Sequence, residues 1–228
     1  MTDPDMSRVK VLVVDDVPFV RSFVSRVLGA MGIRQIEESP DGADGLVKLS
    51  ASVPDLVVLD IMMKPVNGLQ FLKTVRTGLA GVPHDLPVIV LTGATDTPVM
   101  GTAMALDCDA FVTKNAHADT IREKIARVLS EKAAGNSPDH YRLVGLPDVA
   151  QPVPARPLSP ASPSPDAAVE SLSIDEVSAG AVVDRDIVTE EGTILVAEGT
   201  ALTASHLRRL SDLSEIIGID RIWIRRPA

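Results

Sequence analysis

Cysteine is nearly missing from these 228 residues: Cys108 stands alone, so the chain cannot form an intramolecular disulfide or a multi-cysteine zinc site. Aromatic residues are scarce too, at 3% against 45% hydrophobic residues in total. A core must therefore be built from Val, Leu, Ile and Ala. Positive charge is outweighed, with 22 Lys and Arg against 31 Asp and Glu and a formal net charge of -9. Sequence-independent affinity for nucleic acid comes from basic side chains set against phosphates, so this balance makes DNA an unfavoured partner. No run reaches the roughly 18 consecutive apolar residues of a membrane span. The N-terminal residues, with Asp3 and Asp5, lack the apolar segment of a signal peptide. A cytoplasmic protein without a membrane partner is the expectation.

From residue 9 to about 132, short apolar runs rich in β-branched residues alternate with longer amphipathic segments, the mark of repeated βα units around a parallel sheet. Strands are predicted at 9–14, 33–38, 56–59, 88–91 and 110–113, nearly continuous in hydrophobicity, as suits strands covered on both faces. Val20, Phe23, Val24, Val27 and Leu28 recur at helical spacing, as do Ile121, Ile125, Val128 and Leu129. Right-handed crossovers then give a flavodoxin-like, doubly wound five-stranded parallel sheet over residues 1–132. Such sheets bind ligands beyond the carboxyl ends of their strands.

Eight prolines between 138 and 165, set among Ala and Ser, make residues 133–170 read as an extended linker, within which 141–146 could dock. Residues 171–228 form a small, strand-rich α+β module. Its strands are predicted at 181–183, 186–188, 193–196 and 221–225, with a turn at 190–192. Its helix starts at a Thr203 cap and carries Leu207, Leu210 and Leu213. So thin a core suggests docking or a homodimer.

Four strands end in side chains suited to phosphoryl chemistry: Asp15 and Asp16 after the first, Asp60 after the third, Thr92 after the fourth and Lys114 after the fifth. Three carboxylates at one sheet edge repel each other, and a hard divalent cation such as Mg²⁺, which takes oxygen ligands, relieves that repulsion. Asp60 could then act as a nucleophile, with Lys114 and Thr92 neutralising charge on the phosphoryl oxygens. Taken singly, each acid is more readily an N-cap or a solvated loop charge than a site residue; the case rests on their joint placement.

The segments VLVVDD (11–16), DLVVLDIMMKPVNGLQFL (55–72), PVIVLTG (87–93) and DAFVTK (109–114) resemble response regulator receiver domains. The resemblance implies a two-component phosphorelay in which a histidine kinase or phosphotransfer protein phosphorylates Asp60. Asp16 and Asp60 would ligate Mg²⁺ directly, Asp15 through water, and Met62 through its backbone carbonyl. Thr92 and Lys114 would grip the phosphoryl group, with Phe111 at the aromatic switch position. Met62 is apolar where some receivers place a polar group near the attacking water, which implies slow dephosphorylation. Two departures concern loop geometry: Lys64 precedes Pro65 where the family usually has proline one position earlier, and Asn115 replaces the usual proline after Lys114.

The stretch VSAGAVVDRDIVTEEGTILVAEGTALTASHLRRL resembles a small module found beside HD-type cyclic-di-GMP phosphodiesterases, yet no such hydrolase follows it. His84 and Asp85 lie between Pro83 and Pro87 and read as a loop, not a metal site. Ten acids outweigh six arginines over 171–228, so Arg208, Arg209, Arg221, Arg225 and Arg226 read as solvated charges or ion pairs. The leading expectation is a switch rather than a turnover enzyme, acting through a downstream protein partner. The rivals are a transcription regulator with an atypical DNA-binding output and a trans-acting subunit of cyclic-di-GMP signalling.

Overall fold

The computed structural model of the chain describes residues 5–93, 97–131, 136–147, 169–189, 194–219 and 221–225. They divide into two compact units: Met1–Asp96 with Leu106–Leu146, and Thr97–Ala105 with Pro147–Ala228. Among the described residues, no helix is long and apolar enough to cross a membrane.

The first unit runs β1 (Lys10–Val14), α1 (Pro18–Ala30), β2 (Gln35–Ser39), α2 (Gly42–Ala51), β3 (Leu56–Asp60), α3 (Gly68–Arg76) and β4 (Val88–Thr92). After α4 (Thr97–Ala105), which belongs to the second unit, it resumes with β5 (Ala110–Thr113), α5 (Ala118–Ser130) and α6 (Pro138–Arg142). All strand pairs are parallel, in the order β2-β1-β3-β4-β5. Val11 and Val13 of β1, Val58 of β3 and Ile89 and Leu91 of β4 form one buried cluster with Val24, Val27 and Leu28 of α1 and Ile121, Ile125 and Val128 of α5. This is the expected flavodoxin-like sheet.

The edge strand departs from expectation. β2 begins at Gln35 rather than 33, and it is not continuously apolar: Glu37 pairs with Lys10 at 2.8 Å and Glu38 with Arg21 at 3.4 Å. An edge strand has one side open to water, and charges there discourage pairing with another chain. Tyr141 of α6 is fully buried, and its hydroxyl donates to Oδ2 of Asp107 at 2.9 Å. Lys73 of α3 donates to the carbonyls of Arg142 and Val144. The rest of the expected linker, 132–135 and 148–168, lies outside the described residues.

In the second unit, β6 (Val169–Ser173), β7 (Val182–Val183) and β10 (Arg221–Arg225) form an antiparallel sheet in the order β6-β10-β7, and β8 (Ile187–Val188) pairs with β9 (Ile194–Val196). β6 was not expected and starts two residues before 171. Helix α7 (Ala204–Ile217) opens on the expected Thr203, in a capping box with His206, and ends at Gly218 with φ 72°, a left-handed position that suits glycine. Ile222 and Ile224 of β10 point inward with Val183, Leu210 and Leu213. Trp223 points the other way, with the Arg185 guanidinium 4.4 Å from its ring centre.

Arg209 departs from the solvated-charge reading. It is buried, and its Nη1 donates to the Met104 carbonyl of α4 at 2.9 Å. Arg225 is an ion pair as expected, bonded to Asp184 and Glu198. The expected turn at 190–192 and Arg226 lie outside the described residues.

Candidate functional site

Parallel strands bring all their carboxyl ends to one edge, and the strand order decides which residues meet there. Val14 of β1 lies opposite Leu59 of β3, so Asp15 and Asp60 follow as neighbours. β4 ends at Thr92, and the amide of Lys114, just past β5, donates to the Thr92 carbonyl at 2.9 Å. The strands reach one residue further than the sequence indicated at Asp60 and Thr92. Both side chains therefore leave from rigid backbone.

Asp15 and Asp60 have no solvent exposure, while Asp16 is exposed. Carboxylate oxygens of Asp15, Asp16 and Asp60 lie within 4.8 Å of one another. The Lys114 Nζ stands 2.8 Å from Oδ2 of Asp60 and 3.1 Å from Oδ2 of Asp15. These are ion-pair distances, yet both oxygens are buried without a partner at hydrogen-bonding angles. Oδ1 of Asp60 accepts from the Met62 amide at 3.2 Å, and Oδ1 of Asp15 from the Val17 amide at 2.8 Å. Hard oxygens, two of them buried and short of donors, fit a divalent cation such as Mg²⁺.

Burial raises the Asp60 carboxyl above the usual carboxylate range; Lys114 opposes that shift and the Asp15 charge adds to it. Burial works against the Lys114 charge, but Asp60 and Asp15 together hold its pKa above the ordinary lysine value. Perturbed carboxylates and a lysine at a sheet edge mark a reactive site.

Local sequence explains the loop that carries Asp60. The chain turns back after Met63 through a cis Lys64–Pro65 peptide, while the peptide between Lys114 and Asn115 is trans. Asn67 and Gln70 then form a capping box that starts α3. Gly68 approaches so closely that a Cβ there would stand 2.1 Å from the Asp60 carbonyl oxygen. The Thr92 hydroxyl donates to the Gly93 carbonyl at 3.2 Å, and the Phe111 ring is fully buried. Asp15, Asp16, Asp60, Thr92 and Lys114 thus sit at the carboxyl edge of β1, β3, β4 and β5, Phe111 lies within β5 opposite Val90 of β4, and Met62 follows two residues after Asp60.

Two residues escaped the sequence reading. Arg21 donates to the Asp15 carbonyl at 2.7 Å, tying α1 to the acidic loop. Arg76, fully buried, donates to the carbonyls of His84, Leu86, Leu106 and Asp107 and pairs with Asp109 at 3.1 Å. The turn holding His84 and Asp85 is thereby a structural loop, as expected.

A flavodoxin-like sheet with a lysine facing buried carboxylates at its carboxyl edge defines an α/β domain of the receiver type. The chain belongs to the response regulator receiver domain family, which matches residues 11–126. It carries the receiver domain of a two-component response regulator. The protein-glutamate methylesterase/protein-glutamine glutaminase of Trichodesmium erythraeum is 30% identical over 115 residues, 49% of this chain and 32% of that protein. Its counterpart from Treponema denticola is 28% identical over 133 residues, 54% of this chain and 34% of the relative. The match thus spans about a third of these curated relatives. Among solved structures, chemotaxis protein CheY4 of Vibrio cholerae aligns at 26% identity with a TM-score of 0.47, over 53% of this chain and 98% of that one. The receiver domain of NtrX from Brucella abortus aligns at 25% identity with a TM-score of 0.48, over 53% and 98%.

Proposed function

We propose that Asp60 accepts a phosphoryl group from the phosphohistidine of a sensor histidine kinase or phosphotransfer protein. An Asp60 carboxylate oxygen attacks phosphorus in line, an O–P bond forms, the P–N bond breaks, and its electron pair returns to the imidazole nitrogen. Asp15, Asp16 and Asp60, with the Met62 carbonyl, would hold Mg²⁺, which supplies positive charge against the phosphoryl oxygens. Lys114 neutralises a further oxygen. Thr92 turns its hydroxyl from Gly93 to the phosphoryl group, and Phe111 repacks in response. Water later attacks the acyl phosphate, releasing inorganic phosphate and restoring the carboxylate.

The observation that carries this reading is the Lys114 ammonium set against two buried carboxylates, one of them at the end of β3. The C-terminal module then acts through a protein partner, not DNA, and the chain works as a switch rather than a turnover enzyme. Support for the first point comes from α7, whose Arg208 is half-buried and whose Arg209 is buried, leaving no row of exposed basic residues to enter a groove. The test is mass spectrometry after treatment with acetyl phosphate and Mg²⁺. One phosphoryl mass gain on the peptide holding Asp60, absent in Asp60→Asn, is expected; no gain overturns the proposal. A pull-down with the same two proteins identifies the partner as one retained by phosphorylated wild type alone.

A further inference from the structure

Helix α3 and the short helix α6 enclose a groove of about 360 Å³ on the first unit. Gln70, Lys73 and Thr77, at i, i+3 and i+7, put one stripe of α3 and its C-cap along one wall. Arg142 of α6 and Leu146 contribute to the lining from the other side, and so does Leu79. The α6 wall is held in place. Tyr141 is fully buried and donates to Oδ2 of Asp107, as does Nδ2 of Asn136 at 2.7 Å. Lys73 reaches across to the carbonyls of Arg142 at 3.3 Å and Val144 at 2.6 Å. A groove fixed by such bonds is formed before anything enters it, which lowers the ordering cost of binding.

Two kinds of side chain line it. Leu79 is 76% exposed and Leu146 is 36% exposed. A single exposed leucine is ordinary, but two on the walls of one groove offer apolar area that a partner can remove from water. Lys73 and Arg142 supply positive charge, and no acid is among the described residues of the lining, in a chain whose formal net charge is -9.

Those charges are open to a partner. The carbonyls bonded to Lys73 are neutral and leave its ammonium charge uncancelled. Arg142 pairs with Asp139, but the two side chains are 59% and 83% exposed, and an ion pair so wet is easily exchanged for another. The stripe from Gln70 to Thr77 runs about 10 Å, two turns of helix. Leucines between cations, over that length, complement the apolar stripe and flanking acids of a second helix. A nucleic acid would instead call for a row of cations against phosphates, and leucines give it nothing.

We propose that the groove between α3 and α6 receives an acidic, leucine-bearing helix of a protein partner. The partner's leucines meet Leu79 and Leu146, and its carboxylates meet Lys73 and Arg142. No residue of the acidic cluster lines the groove, and docking there requires no phosphoryl transfer, so the inference stands apart from the phosphoacceptor reading of Asp60.

The test uses the full chain and a fluorescein-labelled peptide of about 15 residues, long enough to hold helix in water, with leucines along one stripe and glutamates beside them. Two control peptides carry lysine in place of glutamate, or alanine in place of leucine. In anisotropy titrations the wild type is expected to bind the acidic leucine peptide, and each control roughly tenfold more weakly. Leu79→Ser and Leu146→Ser should each weaken binding roughly tenfold and Arg142→Gln roughly fivefold. Val47→Ser, at an exposed position of α2 outside the lining, should leave it unchanged. Binding should slow hydrogen–deuterium exchange in peptides covering 68–77 and 138–146. No binding by the wild type, equal binding of the lysine peptide, or protection found only outside those two segments overturns the proposal. Undiminished binding by both serine variants also overturns it. Arg142 stands mostly in water, so undiminished binding by Arg142→Gln overturns the charge pairing even if a serine variant disturbs the α6 wall.

Discussion

Lys114 and Asp60 form the central ion pair of the site, 2.8 Å apart, with the Asp15 carboxylate on the same ammonium at 3.1 Å. One positive charge answers two buried negative ones, and the surplus governs how the domain responds to substitution, metal and pH.

Asp60→Asn should stabilise the metal-free protein. Burial raises the Asp60 pKa, so the folded state holds its proton more tightly than the unfolded chain does. Stability from that group is full below the unfolded carboxyl value near 3.8 and is lost as pH rises through the raised folded value. At neutral pH the native carboxylate is therefore a liability that asparagine removes. A gain of roughly 1 kcal/mol, about 4 °C in melting midpoint, is expected in EDTA; a lower midpoint for Asp60→Asn contradicts it.

Mg²⁺ should raise the melting midpoint of the wild type and have little effect on Asp60→Asn. A ligand that binds only the folded state stabilises it by about 2.7 kcal/mol at one hundred times its Kd. Calorimetric scans with Mg²⁺ and with EDTA make the comparison, and equal shifts in both proteins would count against the acidic cluster as the cation site.

Tyr141 is the sole tyrosine, so phenolate absorbance reports on it alone. Burial, then the charge of Asp107, raises its pKa above the ordinary value of 10.0. Its contribution to stability is complete below that value and drains away as pH climbs toward the folded one. In an alkaline titration, phenolate should emerge only as the domain loosens. Tyr141→Phe should cost roughly 1–2 kcal/mol near neutrality, through the lost bond to Asp107. Phenolate forming near pH 10 in a chain still folded by circular dichroism would refute this.

Gly68→Ala should be among the most damaging single changes. The new Cβ meets backbone, the Asp60 carbonyl at 2.1 Å and the Ile61 Cα at 2.8 Å, and backbone cannot step aside as a flexible side chain can. A loss of roughly 3 kcal/mol or more in urea denaturation is expected, together with impaired phosphorylation because Asp60 is displaced.

Met62 sits exposed two residues beyond Asp60, and on the proposed function its apolar side chain offers the attacking water no polar partner. The acyl phosphate is expected to last minutes or longer in Mg²⁺, and Met62→Asn to shorten it. Decay within seconds in the wild type would contradict the expectation.

The sequence made the receiver legible because its sheet is written in unbroken apolar runs such as Val11 to Val14 and Leu56 to Leu59, and its chemistry sits where those runs stop. It was less informative where a residue's role depends on distant partners. β2 opens with Gln35 and contains two glutamates, so it has no apolar signature; its pairing with β1 makes it a strand. β6, with Glu170 between Val169 and Ser171, is specified by its register against β10, some fifty residues away. Arg76, Tyr141 and Arg209 all carry polar groups, and composition assigns such groups to the surface. Their acceptors are backbone carbonyls or an aspartate brought close by folding, which leave no periodic trace in the sequence.

The strand order of the C-terminal sheet has a consequence for its birth on the ribosome. β10 lies between β6 and β7, yet it is the last of the three to be made. Until it emerges from the exit tunnel, the outer two strands have no partner in that sheet, while the receiver's five strands are already clear and able to fold. Completion of that three-stranded sheet is therefore a late event, after synthesis of the receiver. A nonsense codon placed just before Arg221 should yield a folded parallel sheet joined to a tail in which β6 and β7 stay unpaired.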